Sequence, residues 1–244
     1  ICTVADFRRK DIALGGQGAP LAPAFHGFLM RSKSESRAVV NIGGIANVTI
    51  LPADTDSPIS GFDTGPGNTL LDHWMARHRD AGFDADGDWA RGGTVMEELL
   101  QAMLENEPYF KLAAPKSTGT EYFNPAWLDP WLADEADPQD VQATLAELSA
   151  RTIATAIREA PIHIHKCFVC GGGAHKRFLL ERIEAALDGI PIASTAALGI
   201  NPDFVEASAF AWLARCRLKQ APVDMSDITG ASRATIMGGI YTAD

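Results

Sequence analysis

The sequence predicts an α/β fold, and three observations carry that reading. β-Rich stretches alternate with segments of helical periodicity along most of the 244 residues. Two of them, Val39-Val40-Asn41-Ile42 and Ile45 to Ile50, are split by Gly43-Gly44, a hairpin signal. A third, ending at Cys170, runs through Gly171-Gly172-Gly173 into a helical pattern, and strands alternating with helices indicate α/β architecture. The length suits one large domain or two small ones and can bury a core without disulfide or metal staples.

From the start, 1–6 reads as a strand running into a polar turn. Gly15, Gly16 and Gly18 make a mobile loop ending at Pro20, where backbone could approach a ligand. The hairpin occupies 38–51, and a short strand at 59–62 leads into Asp63-Thr64-Gly65-Pro66-Gly67-Asn68. Leu70, Leu71, Trp74 and Met75 then recur at helical spacing. Val95, Leu99, Leu100 and Met103 mark an amphipathic helix that Pro108 ends. Residues 115–130 are irregular, and a longer helix covers about 137–159 with Val141, Leu145, Leu148, Ile153 and Ile157 on one face. A strand at 162–170 follows, then a helix holding Leu179 and Ile183, a short strand at 191–194, and a last helix from Phe204 to Leu218. No linker or internal repeat divides the chain.

Composition excludes several functions. With 21 basic and 31 acidic residues the net charge is −10, which repels phosphate backbones unless cations cluster. The one tight basic run, Arg8-Arg9-Lys10, is bracketed by Asp6 and Asp11, so nucleic acid is not an expected partner. No apolar run approaches the about 18 residues of a membrane span, and no secretory signal is visible. Four cysteines without a framework spacing fit a reducing cytoplasm.

The motifs carry competing readings. The triglycine at 171–173 could admit a nucleotide at a helix start. The dinucleotide version needs an acid about 20 residues on; the following strand ends Ala193-Ser194-Thr195, so that version is rejected. Gly43-Gly44, flanked by Asn41 and Asn47, is either an ordinary turn or an anion-binding concavity. Asp63, before a glycine-rich turn and a helix, is equally well placed as a general base or as a helix N-cap. Cys167 and Cys170 match C-x-x-C, but residues three apart on a strand face opposite ways. His163, His165 and Cys167 share a face without a fourth ligand, so a core strand is preferred over zinc and no metal ligand is assigned.

Taken together, an ordered series of segments resembles the anhydro-N-acetylmuramic acid kinases, sugar kinases of the actin-like ATPase superfamily. The series comprises Val4-Ala-Asp-Phe-Arg-Arg9, Gly15-Gly-Gln-Gly-Ala-Pro20, Asn41-Ile-Gly-Gly-Ile-Ala-Asn47 and Gly61-Phe-Asp-Thr-Gly-Pro-Gly-Asn68. It continues with Pro115-Lys-Ser-Thr-Gly119, Asp140-Val-Gln-Ala-Thr144, Cys170-Gly-Gly-Gly-Ala174 and Glu206-Ala-Ser-Ala-Phe-Ala-Trp212, and closes with Thr229-Gly-Ala-Ser232 and Gly238-Gly-Ile-Tyr241.

The resemblance implies an actin-like (ribonuclease H-like) fold, with mixed sheets flanked by helices. It implies ATP and Mg²⁺ as cofactors, and phosphorylation of O6 of 1,6-anhydro-N-acetylmuramic acid while water opens the anhydro bridge, a step of bacterial cell-wall recycling. Asp63 would be the catalytic base. Asn41 to Asn47 would be the second phosphate hairpin, with Asn41, Gly43 and Gly44 binding the nucleotide, and Gly171, Gly172 and Gly173 the adenosine-side loop. Asp6, Arg8 and Glu206 would grip the sugar or its lactyl carboxylate. A homodimer is one expected assembly, and the bacterial cytoplasm the expected compartment.

The family opens with a Gly-Thr-Ser-x-Asp-Gly phosphate hairpin, and nothing like it precedes Ile1. The resemblance therefore implies that 1–244 is the C-terminal portion of a two-lobed kinase whose first lobe is incomplete, with activity of this stretch alone left open. Two alternatives stand beside it: an actin-fold phosphotransferase or phosphatase acting on another metabolite, and a non-catalytic fragment that binds sugar or partner chains.

Overall fold

A computed structural model describes residues 1–133 and 135–242; the expected span of 1–244 also includes Asp134, Ala243 and Asp244, which lie outside the described residues. The chain opens with β1 (Thr3–Ala5), α1 (Phe7–Ala13) and α2 (Ala22–Met30). Strands β2 (Arg37–Ile42), β3 (Ile45–Leu51) and β4 (Ser60–Pro66) come next. Helices α3 (Thr69–Arg79), α4 (Asp88–Arg91), α5 (Glu97–Asn106), α6 (Pro125–Leu128) and α7 (Pro138–Arg158) precede β5 (Lys166–Cys170). The remainder is α8 (Arg177–Ala186), β6 (Ile192–Ser194), α9 (Val205–Leu218), α10 (Ser226–Thr229) and β7 (Gly239–Tyr241).

The main sheet has the order β4-β3-β2-β5-β6. β3 runs antiparallel to both β2 and β4, whereas β5 lies parallel to β2 and to β6. Counted within the sheet, this is strand order 3-2-1-4-5 with the second strand alone reversed, the topology of the ribonuclease H-like fold. The expected α/β class with a mixed sheet is the one observed. A second, two-stranded sheet joins β1 to β7 antiparallel.

Period-two alternation divides the main sheet into two faces. Val40, Ile42 and Val48 pack with Ile153 and Ile157 of α7 and Ile183 of α8. Val39, Leu51 and Phe168 point the other way, against Phe25 and Met30 of α2 and Val205 of α9. Each such side chain gains roughly 1.5–3 kcal/mol on burial, and a one-residue slip would turn every one of them over. α7 also carries a second cluster, where Val141, Leu145 and Leu148 meet Trp74, Leu100, Met103 and Phe123. A third holds Phe7 and Leu21 from one end of the chain against Leu213, Met225 and Met237 from the other.

Several expected boundaries are corrected. The strand at 1–6 is confined to Thr3–Ala5, because Asp6 turns into the left-handed region at φ 62° and starts α1. The strand at 59–62 runs on to Pro66 through pairing with β3. The strand at 162–170 begins only at Lys166; His165 is instead bonded to Ser36, its N–H donating to the Ser36 carbonyl at 2.9 Å. The helix read from Val95 starts at Glu97. The Gly43-Gly44 hairpin, the 137–159 helix and the short strand before Thr195 stand where expected.

Candidate active site

A polar row crosses the sheet where its apolar face ends. Register pairs Cys170 with Asn41, Asn41 with Asn47, and Asn47 with Asp63. Paired residues share a face, and here it is the face of Val39 and Phe168. β2, β4 and β5 run in one direction, and Asn41 and Cys170 sit at the carboxyl ends of β2 and β5, where open α/β sheets place ligands, with Asp63 level with them at the middle of the longer β4. Cys167 packs with the α7–α8 cluster and Cys170 with the α2–α9 cluster, so the two thiols face oppositely, as their strand spacing predicts. Burial pushes both up to about 12.

Asp63 is held on four sides. Its N–H donates to the Lys116 carbonyl at 3.1 Å, and its carbonyl accepts from the Tyr109 hydroxyl at 2.7 Å. The Ser117 hydroxyl at 2.8 Å and the Thr118 N–H at 3.0 Å both donate to Oδ2. Among the described residues no hydrogen bond reaches Oδ1. Burial pushes the carboxyl above its ordinary range, while Thr118, Ser117 and the Arg8 charge pull it down without cancelling the rise. Burial likewise keeps Tyr109 a neutral donor, with the Asp63 charge adding to the effect. Asp63 is therefore no helix N-cap: Asn68 holds that place before α3, and among the described residues no side chain caps it.

A cleft of about 250 Å³ opens over the row, lined by Asn41, Asn47, Asp63, Thr118, Arg8 and Glu206 among others. Arg8 comes from α1 and Glu206 from the first turn of α9. The Arg8 guanidinium donates to the Gly18 carbonyl at 2.7 Å. The glycine loop expected to be mobile is tied down here. The fully buried Asp11 accepts the Gly18 N–H at 2.8 Å through Oδ2 and the Thr229 hydroxyl at 2.7 Å through Oδ1. Asp6 does not join this cleft: Arg9 lies 3.1 Å from its Oδ2, and the Tyr241 hydroxyl donates to the same oxygen at 3.4 Å. A larger cavity of about 610 Å³ lies elsewhere, between Phe62 and Thr64 on the reverse face of β4 and the end of α7. It is walled mainly by apolar groups such as Leu104, Phe110 and Ala156, and the paired amides, arginine and strapped carboxylate belong to the smaller cleft.

The two glycine turns meet beside the row. The Gly43 and Gly44 carbonyls accept the N–H groups of Asn68, Gly67 and Thr69 at 2.8–3.0 Å, which locks the hairpin to the start of α3. Asn68 Nδ2 donates to the Ile42 carbonyl at 3.1 Å, and among the described residues its buried Oδ1 has no partner. Within the triglycine the first and third positions answer to packing: Gly171 sits at φ +78° with its missing Cβ aimed at Asn41, and a Cβ on Gly173 would strike Ile42. Gly172 is different. A Cβ there would meet only Asn68 Nδ2, at 3.9 Å, so this glycine leaves open space between the turns.

Ser117, Thr118, Asp11 and Thr229 complete the site without having been assigned a role from sequence, whereas Asn47 was expected only as the far end of the phosphate hairpin. The Pro115-Lys-Ser-Thr-Gly119 and Thr229-Gly-Ala-Ser232 segments were the available signals.

A ribonuclease H-like sheet with a strapped carboxylate, two amides and glycine turns gathered at its strand ends defines a protein of the actin-like α/β class. The family model for "Anhydro-N-acetylmuramic acid kinase" matches residues 1–243, and the chain belongs to that family. It is 50% identical over 242 residues to the anhydro-N-acetylmuramic acid kinase of Coxiella burnetii (strain RSA 493 / Nine Mile phase I), covering 99% of this chain and 65% of the relative. It is 49% identical over 245 residues to that of Saccharophagus degradans, with the same coverage. The chain thus spans about two thirds of the length of the curated relatives it matches. Among solved structures, a Clostridium difficile activator of 2-hydroxyisocaproyl-CoA dehydratase with bound ADPNP is similar at TM-score 0.48 and 15% identity, over 82% of this chain and 66% of that one. A xylulose kinase from Rhodospirillum rubrum is similar at TM-score 0.48 and 13% identity, over 80% and 40%.

Proposed function

We propose that the chain is the larger part of an ATP-dependent kinase that converts 1,6-anhydro-N-acetylmuramic acid to N-acetylmuramic acid 6-phosphate, serving cell-wall recycling in the bacterial cytoplasm. One observation carries this reading: a carboxylate with one oxygen strapped and the other free faces a cleft that also holds an arginine, a glutamate and two amides. Asp63 Oδ1 takes a proton from water as the water oxygen bonds the anomeric carbon. The bond from that carbon to O6 breaks and its electron pair stays on O6, which is then free to accept a phosphoryl group. ATP, when bound, would supply that group, the electron pair of its broken terminal P–O bond leaving with ADP.

Arg8 suits the lactyl carboxylate, since a guanidinium pairs with a carboxylate bidentately. Asn41, expected at the nucleotide phosphates, lines the same cleft as Asp63, so in this reading it joins Asn47 and Glu206 in offering hydrogen bonds to sugar hydroxyls and the amide. The open space at Gly172, beside the unpartnered Asn68 Oδ1, fits the nucleotide. Mg²⁺ fits as the companion of nucleotide phosphates, because it keeps several waters and needs few protein ligands; among the described residues no cluster of three His, Cys, Asp or Glu offers a cage of its own. Asp6 enters the reading only as support for α1, through Arg9. Four free cysteines are in keeping with a reducing compartment. Among the described residues no helix is long and apolar enough to cross a membrane.

The test is an isotope experiment on a chain extended to the length of its relatives. With ATP, the anhydro sugar and ¹⁸O-water, the label is expected in the C1 hydroxyl of the phosphorylated product. Phosphorylated product without label would refute water-driven ring opening.

A further inference from the structure

Among the described residues, Asp63 is the member of the polar row whose main chain and side chain are both gripped from outside the sheet. β4 is an edge strand, and residues 116–118 lie along its free side as a short strap. The Lys116 carbonyl takes the Asp63 N–H, while Ser117 and Thr118 reach over to Oδ2. Of those two donors only Ser117 uses a side chain, so it alone can be removed without touching the backbone.

We infer that Ser117 is a positioning residue for Asp63: its hydroxyl, with the Thr118 N–H, engages Oδ2 so that Oδ1 is left as the single oxygen able to accept a proton in the cleft. The inference rests on Asp63 acting as the base. Two consequences follow from elementary chemistry. A carboxylate with both donors on one oxygen cannot rotate to present the other without losing two hydrogen bonds, which fixes the lone pair that meets water. Donors to the ionised form also favour that form, and Asp63 needs the help because its burial works the other way. The charged and titratable groups facing it are Arg8 from α1, Glu206 from α9, and Lys116 and Tyr109 from the segment between α5 and α6. None of them replaces the hydroxyl, because Lys116 contributes its carbonyl and Tyr109 binds the Asp63 carbonyl rather than the carboxylate.

The direct experiment is a ¹³C NMR titration of the Asp63 carboxyl carbon in the chain as it stands. Ser117→Ala is expected to raise the midpoint by about one pH unit, and Ser117→Thr to restore it. If Ser117→Ala fails to fold, Ser117→Cys keeps the volume, weakens the donor and serves the same comparison. An unmoved midpoint overturns the inference whatever Asp63 does in catalysis. In the extended chain, the acidic limb of kcat/KM is expected to move upward by the same amount, with KM for the sugar held within about twofold. A midpoint that moves while the rate profile does not would overturn the base reading itself and leave the strap a purely structural contact.

Discussion

Two carboxylates in this molecule are almost equally buried and are treated in opposite ways. Glu147, on α7, is 3% exposed and Asp63, on β4, is 6% exposed. Burial pushes Glu147 upward, but hydrogen bonds from Arg182 and Arg151 outweigh it and leave its carboxyl below the ordinary range. Arg151 bonds Oε1 at 2.9 Å and Arg182 bonds Oε2 at 2.6 Å, so both oxygens are used and α7 is stitched to α8. Asp63 has neutral donors on one oxygen, a free second oxygen, and a raised carboxyl. A saturated, charge-paired acid holds a fold together. An acid kept basic and half-satisfied is what proton transfer requires.

The widest separation between the two acids is expected from Asp63→Asn, measured in a chain of the relatives' full length. Turnover should fall about 10²–10⁴-fold, the usual worth of a placed base. Because the folded carboxyl is raised, its ionisation weakens folding as pH climbs through that raised value. The Asn variant should therefore melt no lower than the parent at neutral pH. Near-normal turnover, or a clear loss of melting temperature, would merge Asp63 with the structural acids.

Next in size is Arg8→Ala. Losing a charged hydrogen-bond partner costs roughly 1.5–3 kcal/mol, so KM for the sugar should rise about 10–100-fold with KM for ATP little changed. The opposite ranking, read from paired saturation curves, would move Arg8 to the nucleotide side.

Gly172→Leu should weaken nucleotide binding about tenfold or more, ~1.4 kcal/mol, while leaving the fold intact. Gly173→Leu, one position on, should destabilise the sheet through Ile42. Nucleotide affinity and melting temperature for the pair separate ligand space from packing space, and an unchanged affinity at Gly172 would remove the nucleotide from that gap.

The smallest effect belongs to the other acid. Glu147→Gln should lower stability at neutral pH and make no difference once the medium is acid enough to protonate the parent glutamate. A group depressed in the folded state gives stability above its unfolded value of about 4.3 and loses it as pH falls through the folded one. Denaturant midpoints of both proteins across the acid range would show the two curves converging. Parallel curves would mean that the arginines do not depend on the Glu147 charge.

What the sequence discloses differs between these regions for a physical reason. The α7–α8 side is legible because apolar spacing repeats: Val141 to Ile157 mark a helix whose Asp137 side chain caps it, accepting the Gln139 N–H at 2.8 Å. The hairpin and the Asp63 segment are legible from glycine and asparagine placement and from the resemblance they carry. α1 and α2 are not. α1 is seven residues with four charges, and α2 is nine residues with Gly27, a poor helix former, in its interior. Tertiary packing overrides both, through Phe7 in the cluster joining the chain's ends and through Phe25 and Met30 beneath the sheet. The segment that straps Asp63 is marked only by the resemblance at Pro115–Gly119, and its bond to Asp63 is out of reach, because Ser117 is 54 residues away and only the folded edge brings it near. Asp6 stands three residues from Arg9 and two from Arg8, and only the left-handed turn at Asp6 decides that it serves the former.

The bond from Thr229 to Asp11 closes a span of 218 residues, and the strand pairing of Thr3–Ala5 with Gly239–Tyr241 closes a longer one. During synthesis on a ribosome the five-stranded sheet, Asp63 and its strap can all assemble before residue 229 has left the exit tunnel. The anchorage of the glycine loop that holds Arg8 cannot. The Arg8 side of the cleft is thus the last part of this chain to mature, and a polypeptide released early would carry a strapped Asp63 beside an unanchored Arg8.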